Sequence, residues 1–225
     1  MKIIAMIPIR MGSKRVKNKN IRLLNNKPLL EYIIESTINS KIFDEIYLNS
    51  ESESIKKYAD KYNIKFYKRP PNLAQDNSSN DDFMYDFLKN IKCDIVIQLL
   101  ATSPFITSNE IINFTKNMIQ KKYDTLISVH NIQIECVYKN QAINFNKKKF
   151  TPPSQELEPI KAYACGIMGW KSEDFTKNMV KYNAAYHGGD GNIGYYSLEG
   201  FSTIDIDYEN DFKLAEIIAK YLNNN

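Results

Sequence analysis

The stretch Ile3–Arg22, IIAMIPIRMGSKRVKNKNIR, decides how the rest of the chain is read. Its first part, Ile3 to Ile9, is short, apolar and rich in β-branched residues, the pattern of a strand buried on both faces. It runs directly into Arg10, Gly12, Ser13, Lys14, Arg15, Lys17, Lys19 and Arg22. A loop leaving the carboxyl end of a buried strand is where open α/β sheets bind ligands. Gly12 lets the backbone come close to a ligand, and successive N–H groups in such a loop form an anion-binding concavity. Guanidinium and ammonium groups add the charge that a polyphosphate attracts. A basic, solvated surface loop is the plain alternative, but such a run needs no strand to aim it. The loop is neither GxxxxGK followed by Ser or Thr, nor GxGxxG, because the next glycine after Gly12 is Gly166.

Outward from this stretch the chain alternates between two periods. Leu30, Ile33, Ile34, Thr37 and Ile38 make one helical face after Pro28, and Glu45–Asn49 reads as a strand. Ser52 can cap a helix carrying Ile55, Tyr58, Ala59 and Tyr62, and Ile64–Tyr67 is a third strand stopped by Arg69-Pro70-Pro71. A helix with Phe83, Phe87, Leu88 and Ile91 precedes the apolar run Asp94–Leu100. Thr107-Ser108-Asn109-Glu110 matches a capping box, and Thr125–Val129 is another strand. This alternation predicts an α/β fold on a mainly parallel sheet with right-handed crossovers. The regularity fails between His130 and Ala162, where Val137–Phe145 has the look of a hairpin; it resumes with strands at Tyr163–Gly169 and Ile193–Ser197. Residues 1–225 are therefore read as a single domain, with 131–162 as an insertion.

Hydrophobic residues make up 43% of the chain and charged ones 25%, ordinary for a globular protein, and a net charge of +4 is too mild for a dedicated nucleic-acid binder. No apolar run is long enough to span a membrane, and Met1-Lys2 is followed by no signal-peptide pattern. Cys93, Cys136 and Cys165 are widely spaced, which suits neither a disulfide framework nor a zinc site. A cytoplasmic protein with no nucleic-acid or membrane partner is expected. His130 and His187 have no companion ligands at metal spacing and read as rim or loop residues.

Near the end of the chain, Ile204-Asp205-Ile206-Asp207 puts two carboxylates at a period of two, on one face of a strand. Two such charges repel unless a cation lies between them, and oxygen ligands of this kind suit Mg²⁺. The alternative is that Asp207 caps the last helix while Asp205 faces water.

Four motifs together resemble the acylneuraminate cytidylyltransferases, the CMP-sugar-acid synthetases. Arg10-Met11-Gly12-Ser13-Lys14 followed by Lys19-Asn20-Ile21 is similar to that family's Arg-x-x-Ser-Lys loop with its later Lys-Asn. Arg69-Pro70-Pro71-Asn72-Leu73-Ala74-Gln75-Asp76, with Ser78, resembles its Arg-Pro-x-x-Leu-Ala-x-Asp loop. The IDID before a final helix is its third mark, and Thr102-Ser103-Pro104 keeps part of its Gln-Pro-Thr-Ser-Pro segment. The resemblance implies a doubly wound, Rossmann-like sheet of the nucleotide-diphospho-sugar transferase type, with a small β-rich insertion at 131–162 that serves dimerisation and the acceptor. It implies CTP held by Arg10, Gly12, Ser13, Lys14, Lys19, Asn20, Arg69, Asp76 and Ser78, Mg²⁺ on Asp205 and Asp207, and Arg10, Lys14 and Asp207 as the catalytic groups. A sugar or sugar acid would be activated to a CMP-sugar for surface polysaccharide or glycan synthesis by a homodimer. A CDP-linked product from a phosphorylated acceptor, or a silent nucleotide-binding relative, are the alternatives.

The acceptor side departs from the family. Its pocket would be Leu100, Thr102, Ser103, Tyr163 and Gly166, yet Leu100 replaces the family's glutamine, and Ile106 and Tyr163 replace arginines. A buried carboxylate needs paired donors, so Lys139, Lys161 or Lys171 is expected to replace them, unless the acceptor is of another kind. N-acetylneuraminate is expected to be a poor substrate.

Overall fold

A computed structural model describes residues 1–223. Its strands are β1 (Ile3–Ile9), β2 (Leu23–Leu24), β3 (Lys27–Pro28), β4 (Glu45–Ser50), β5 (Lys65–Lys68), β6 (Ile95–Leu99), β7 (Thr125–Ile132), β8 (Val137–Tyr138), β9 (Gln141–Ala142), β10 (Ile160–Lys171) and β11 (Ile193–Leu198). The helices are α1 (Leu29–Ser40), α2 (Lys56–Tyr62), α3 (Asn80–Asn90), α4 (Ser108–Gln120), α5 (Ser172–Tyr182) and α6 (Glu209–Asn223). Seven strands form the central sheet in the order β11-β7-β10-β6-β1-β4-β5.

β1 lies at the centre because both its faces are apolar. Ile3, Ala5, Ile7 and Ile9 pack on one side with α1, α2 and α4, while Ile4 and Met6 pack on the other with α3 and α5. A strand dressed on both faces is the hallmark of a parallel, doubly wound sheet. β1 runs parallel to β4 on one side and to β6 on the other, so the chain changes direction of travel across the sheet there. Such a switch opens a crevice outside the carboxyl ends of the strands. The predicted capping box forms: Thr107 accepts from the Glu110 backbone N–H, and Glu110 accepts from that of Thr107.

The sheet is mainly parallel, as expected, with β10 running antiparallel to both β6 and β7. One expectation changes. The carboxylate pair near the end of the chain does not sit on a strand: residues 204–207 are extended but pair with no strand, and are tied to the β6 loop by a backbone bond from Ile206 N to Thr102 O at 2.9 Å. Side-chain alternation survives, since Ile206 is fully buried against Val16, Leu24, Phe105 and α6. That small core binds the end of the chain to the basic loop. In the segment 131–162, the two ends extend β7 and β10 (Ile160 pairs with Ile132), and the short β8–β9 hairpin lies between them. Among the described residues no helix is long and apolar enough to cross a membrane.

Candidate active site

Loops from the carboxyl ends of β1, β5 and β6 converge with residues 205–207 around a cavity of about 410 Å³. Arg10, Ser13, Lys19, Asn20, Arg69, Asp76, Ser78, Leu100, Thr102, Asp205 and Asp207 all line it. Residues as far apart in the chain as Arg10 and Asp207 thus share one hollow.

The basic loop is braced from within and neutralised from both rims. Asn20 is buried and donates through Nδ2 to the Arg10 carbonyl at 2.8 Å, fixing the loop's return. On one rim Arg10 donates to Gln75 O at 3.2 Å and Asp76 Oδ1 at 3.3 Å, and Lys14 pairs with the other oxygen of Asp76. Lys14, and then Arg10, hold the Asp76 carboxyl below its usual range. On the opposite rim Arg15 meets Asp207 Oδ1 at 2.9 Å, and Lys19 reaches the same oxygen at 3.3 Å. Four cations are therefore paired with Asp76 and Asp207 about the hollow, of which Arg10 and Lys19 belong to its lining.

Arg69 is a different kind of cation. It is buried, donates through Nε to Asn49 Oδ1 at 2.7 Å and through Nη2 to Asn49 O at 2.8 Å, and lies 4.4 Å over the Phe83 ring. Burial brings its pKa down to about 10. Such a guanidinium is a fixed wall rather than a mobile arm. Asn49 and Glu51, whose Oε1 accepts from Met11 N at 2.8 Å, support the site but carry no motif. The one signal for Asn49 was an amide at the end of an otherwise apolar strand.

Asp205 and Asp207 behave unlike each other. Asp207 is paired as described, whereas Asp205 Oδ1 is buried with no hydrogen-bond partner. Burial pushes the Asp205 carboxyl up, against the Thr102 hydroxyl, and the neighbouring Asp207 charge pushes it further. A buried oxygen without a partner, beside a second carboxylate in the same hollow, is a donor set that fits a hard divalent cation finishing its shell with phosphate and water.

The other residues singled out from the sequence lie around this hollow. Gly12 and Lys14 are at its exposed rim rather than in its lining. Ser103 is buried beneath Gly166, where an added Cβ would meet Ile106 Cδ1 at 2.5 Å and Ser103 Oγ at 2.9 Å. Gly166 thus allows β10 to approach the β6 loop, and its carbonyl accepts from Leu100 N at 3.0 Å. Tyr163 is exposed outside the lining, against His187 and Tyr195. The lysines expected to replace the missing arginines are not in the lining. Lys171 pairs with Asp124 at 2.5 Å at the far end of β10, Lys139 stands in the turn of the β8–β9 hairpin, and Lys161 lies over Tyr195. Their side chains follow the strand and hairpin geometry, which spacing alone did not reveal. His130 is exposed on β7.

A model of the family described as cytidylyltransferase matches residues 4–214. The pseudaminic acid cytidylyltransferase of Campylobacter jejuni is 34% identical over 98% of this chain and 97% of its own length. The N-acylneuraminate cytidylyltransferase of Escherichia coli is 31% identical over 99% of this chain, which spans 53% of that longer protein. Among solved structures, a CMP:2-keto-3-deoxy-manno-octonic acid synthetase complexed with CTP superposes with a TM-score of 0.75 at 16% identity, covering 98% of this chain and all of that one. This chain belongs to the cytidylyltransferase family.

Proposed function

We propose that the chain transfers the cytidylyl group of CTP to a sugar acid, releasing pyrophosphate and giving a CMP-sugar for a surface glycan. The observation that carries this reading is the hollow at the carboxyl ends of β1 and β6, where Arg10, Arg15, Lys14 and Lys19 face Asp76 and Asp207, and Asp205 keeps an unpartnered oxygen. Arg10, Ser13 and Lys14 hold the triphosphate, and their charge stabilises the leaving pyrophosphate. Arg69, Asn20 and Ser78 frame the nucleoside end. The acceptor hydroxyl attacks the α-phosphorus in line, the α–β bridging bond breaks, and the hydroxyl proton is lost to water. Positioning and charge stabilisation carry such a step, so a dedicated base is not needed. Asp205 and Asp207 would hold Mg²⁺, which when bound supplies Lewis-acid stabilisation of charge on the α-phosphate.

The active form is a homodimer joined through the 131–162 arm, whose Ile134, Val137, Tyr138, Ile143 and Phe150 are exposed apolar side chains. The reaction is cytoplasmic. Pyrophosphate release from CTP, screened across sugar acids and sugar phosphates with the product identified by mass, tests the whole reading. Turnover with a sugar acid to a CMP-linked product is expected. A CDP-linked product, or CTP binding with no turnover on any acceptor, would displace it.

A further inference from the structure

The peptide between Arg10 and Met11, where β1 gives way to the basic loop, is gripped at both of its polar atoms by side chains from elsewhere. Asn20 Nδ2 donates to its carbonyl, Arg10 O, at 2.8 Å, and its N–H, that of Met11, donates to Glu51 Oε1 at 2.8 Å. The sheet explains why a side chain is used. β1 and β4 run in parallel register as far as Ile9 and Ser50, where the pairing ends. The Met11 N–H lies beyond that ladder and takes the Glu51 carboxylate as its acceptor. A peptide group is planar, so two bonds on opposite edges fix its orientation and aim the N–H groups that follow at Gly12 and Ser13. The Met11 side chain packs on the core, but the turn itself stands clear: a Cβ built on Gly12 would meet nothing within 4 Å.

The end of β4 reaches the other way as well. Asn49 accepts from Arg69 through Oδ1 and its carbonyl, and Ser50 O accepts from Arg69 N at 2.9 Å. Asn49-Ser50-Glu51 therefore ties the basic loop after β1 to the Arg69 wall after β5, across two strand spacings of about 4.8 Å each. The second oxygen of Glu51, Oε2, is buried with no hydrogen-bond partner among the described residues. A half-paired buried carboxylate costs stability, and nearby cations offset that cost. Burial is what lowers the Arg69 pKa most, and the charge of Glu51 is the foremost influence opposing it. One oxygen of Glu51 thus holds the loop while its charge answers the guanidinium of the wall.

We propose that Glu51 is the positioning residue of the phosphate-binding turn: it clamps the Arg10–Met11 peptide together with Asn20 and sets the basic loop at a fixed spacing from the Arg69 wall. The inference rests on the cytidylyl-transfer reading above. A ligand with a nucleoside and a polyphosphate must meet wall and loop at once, so it gains from that spacing. A nucleoside monophosphate lacks the outer phosphates for which the loop is set, and gains little. Positioning of this kind needs the reach of a three-atom side chain ending in an oxygen, rather than a negative charge alone.

The test uses the full chain and calorimetric titration with CTP and with CMP. Glu51→Ala should weaken CTP by about tenfold or more and CMP by less than about twofold. Glu51→Gln keeps an oxygen for the Met11 N–H and should stay within about threefold of wild type for CTP. Glu51→Asp keeps the charge but is one methylene shorter, and should fall with the alanine variant. Equal losses for CTP and CMP, or CTP affinity unchanged in the alanine variant, overturn the proposal. So does an aspartate variant that binds like wild type while the glutamine variant does not, the mark of charge without geometry. If Glu51→Ala fails to fold, the glutamine and aspartate pair decides. Wild-type protein that binds CTP beside variants that bind it equally well overturns this role alone; wild-type protein that binds no CTP overturns the cytidylyl-transfer reading with it.

Discussion

Asp207 is held by two cations and stands two residues from a carboxylate that has none of its own. If the pair receives the metal, Asp207→Asn should cost about two orders of magnitude in turnover while thermal unfolding stays near wild type. Unchanged turnover in the folded variant would remove the assignment. Lys14 pairs with Asp76 across the rim, but at 77% side-chain exposure its place is easily given over to phosphate. Lys14→Ala should therefore raise the KM for CTP by about tenfold, the worth of one charge-assisted contact part-shielded by water. Calorimetry and initial rates that both match wild type would retire it. At this scale the motifs picked out residues that the fold brings together: Arg10, Ser13, Arg69, Asp76 and Asp205 line one hollow. The sequence was silent where support comes from a neighbouring element: Glu51 under Met11 and Asp81 under Tyr186 are unremarkable acids until the strands are placed.

Among the elements, β4 shows how the edge of the sheet is tied. Glu45 at its start accepts from Lys2 ahead of β1 at 2.9 Å, from Lys65 at the start of β5, and from its own strand's Tyr47 at 2.9 Å. These partners, Lys65 foremost, bring the Glu45 carboxyl from 4.5 to about 2. A carboxyl depressed in the folded state adds stability above its ordinary pKa, and that stability is lost as the pH falls through about 2. With solvent screening the contribution is about 1 kcal/mol. Glu45→Gln should lower the unfolding free energy by about that amount near neutral pH, with the gap closing in acid. A constant gap in denaturant titrations across that range would contradict it. Strands and helices were legible because β1 is apolar on both faces and α4 carries a complete capping box. The direction of β10 was not, because a buried strand reads alike whichever way it runs. Nor was the unpaired state of 204–207, since alternation there reflects packing of Ile206 on α6 rather than a ladder.

For the whole molecule, the arm between β7 and β10 projects apolar groups that the other described residues do not cover; Phe150 is 92% exposed. A two-stranded hairpin such as β8–β9 has little stability by itself. Light scattering should give twice the 26.1 kDa chain mass, and Tyr138→Ser with Phe150→Ser should shift it toward the monomer. A monomeric wild type at micromolar concentration would rule the dimer out.

The placement of β10 also fixes an order of events during synthesis. Strands β5, β4, β1 and β6 are neighbours and are complete by Leu99, so this half of the sheet can assemble while the ribosome is still working. β7 must wait, because both its neighbours, β10 and β11, are translated after it. A nascent chain of that length already displays Arg10, Lys14, Arg15 and Lys19, with Asp76 as counter-charge, but it has neither Asp205 nor Asp207. Translation thus delivers the cationic side of the hollow before its Asp205 and Asp207 side, so the hollow is complete only after both halves of the sheet are in place.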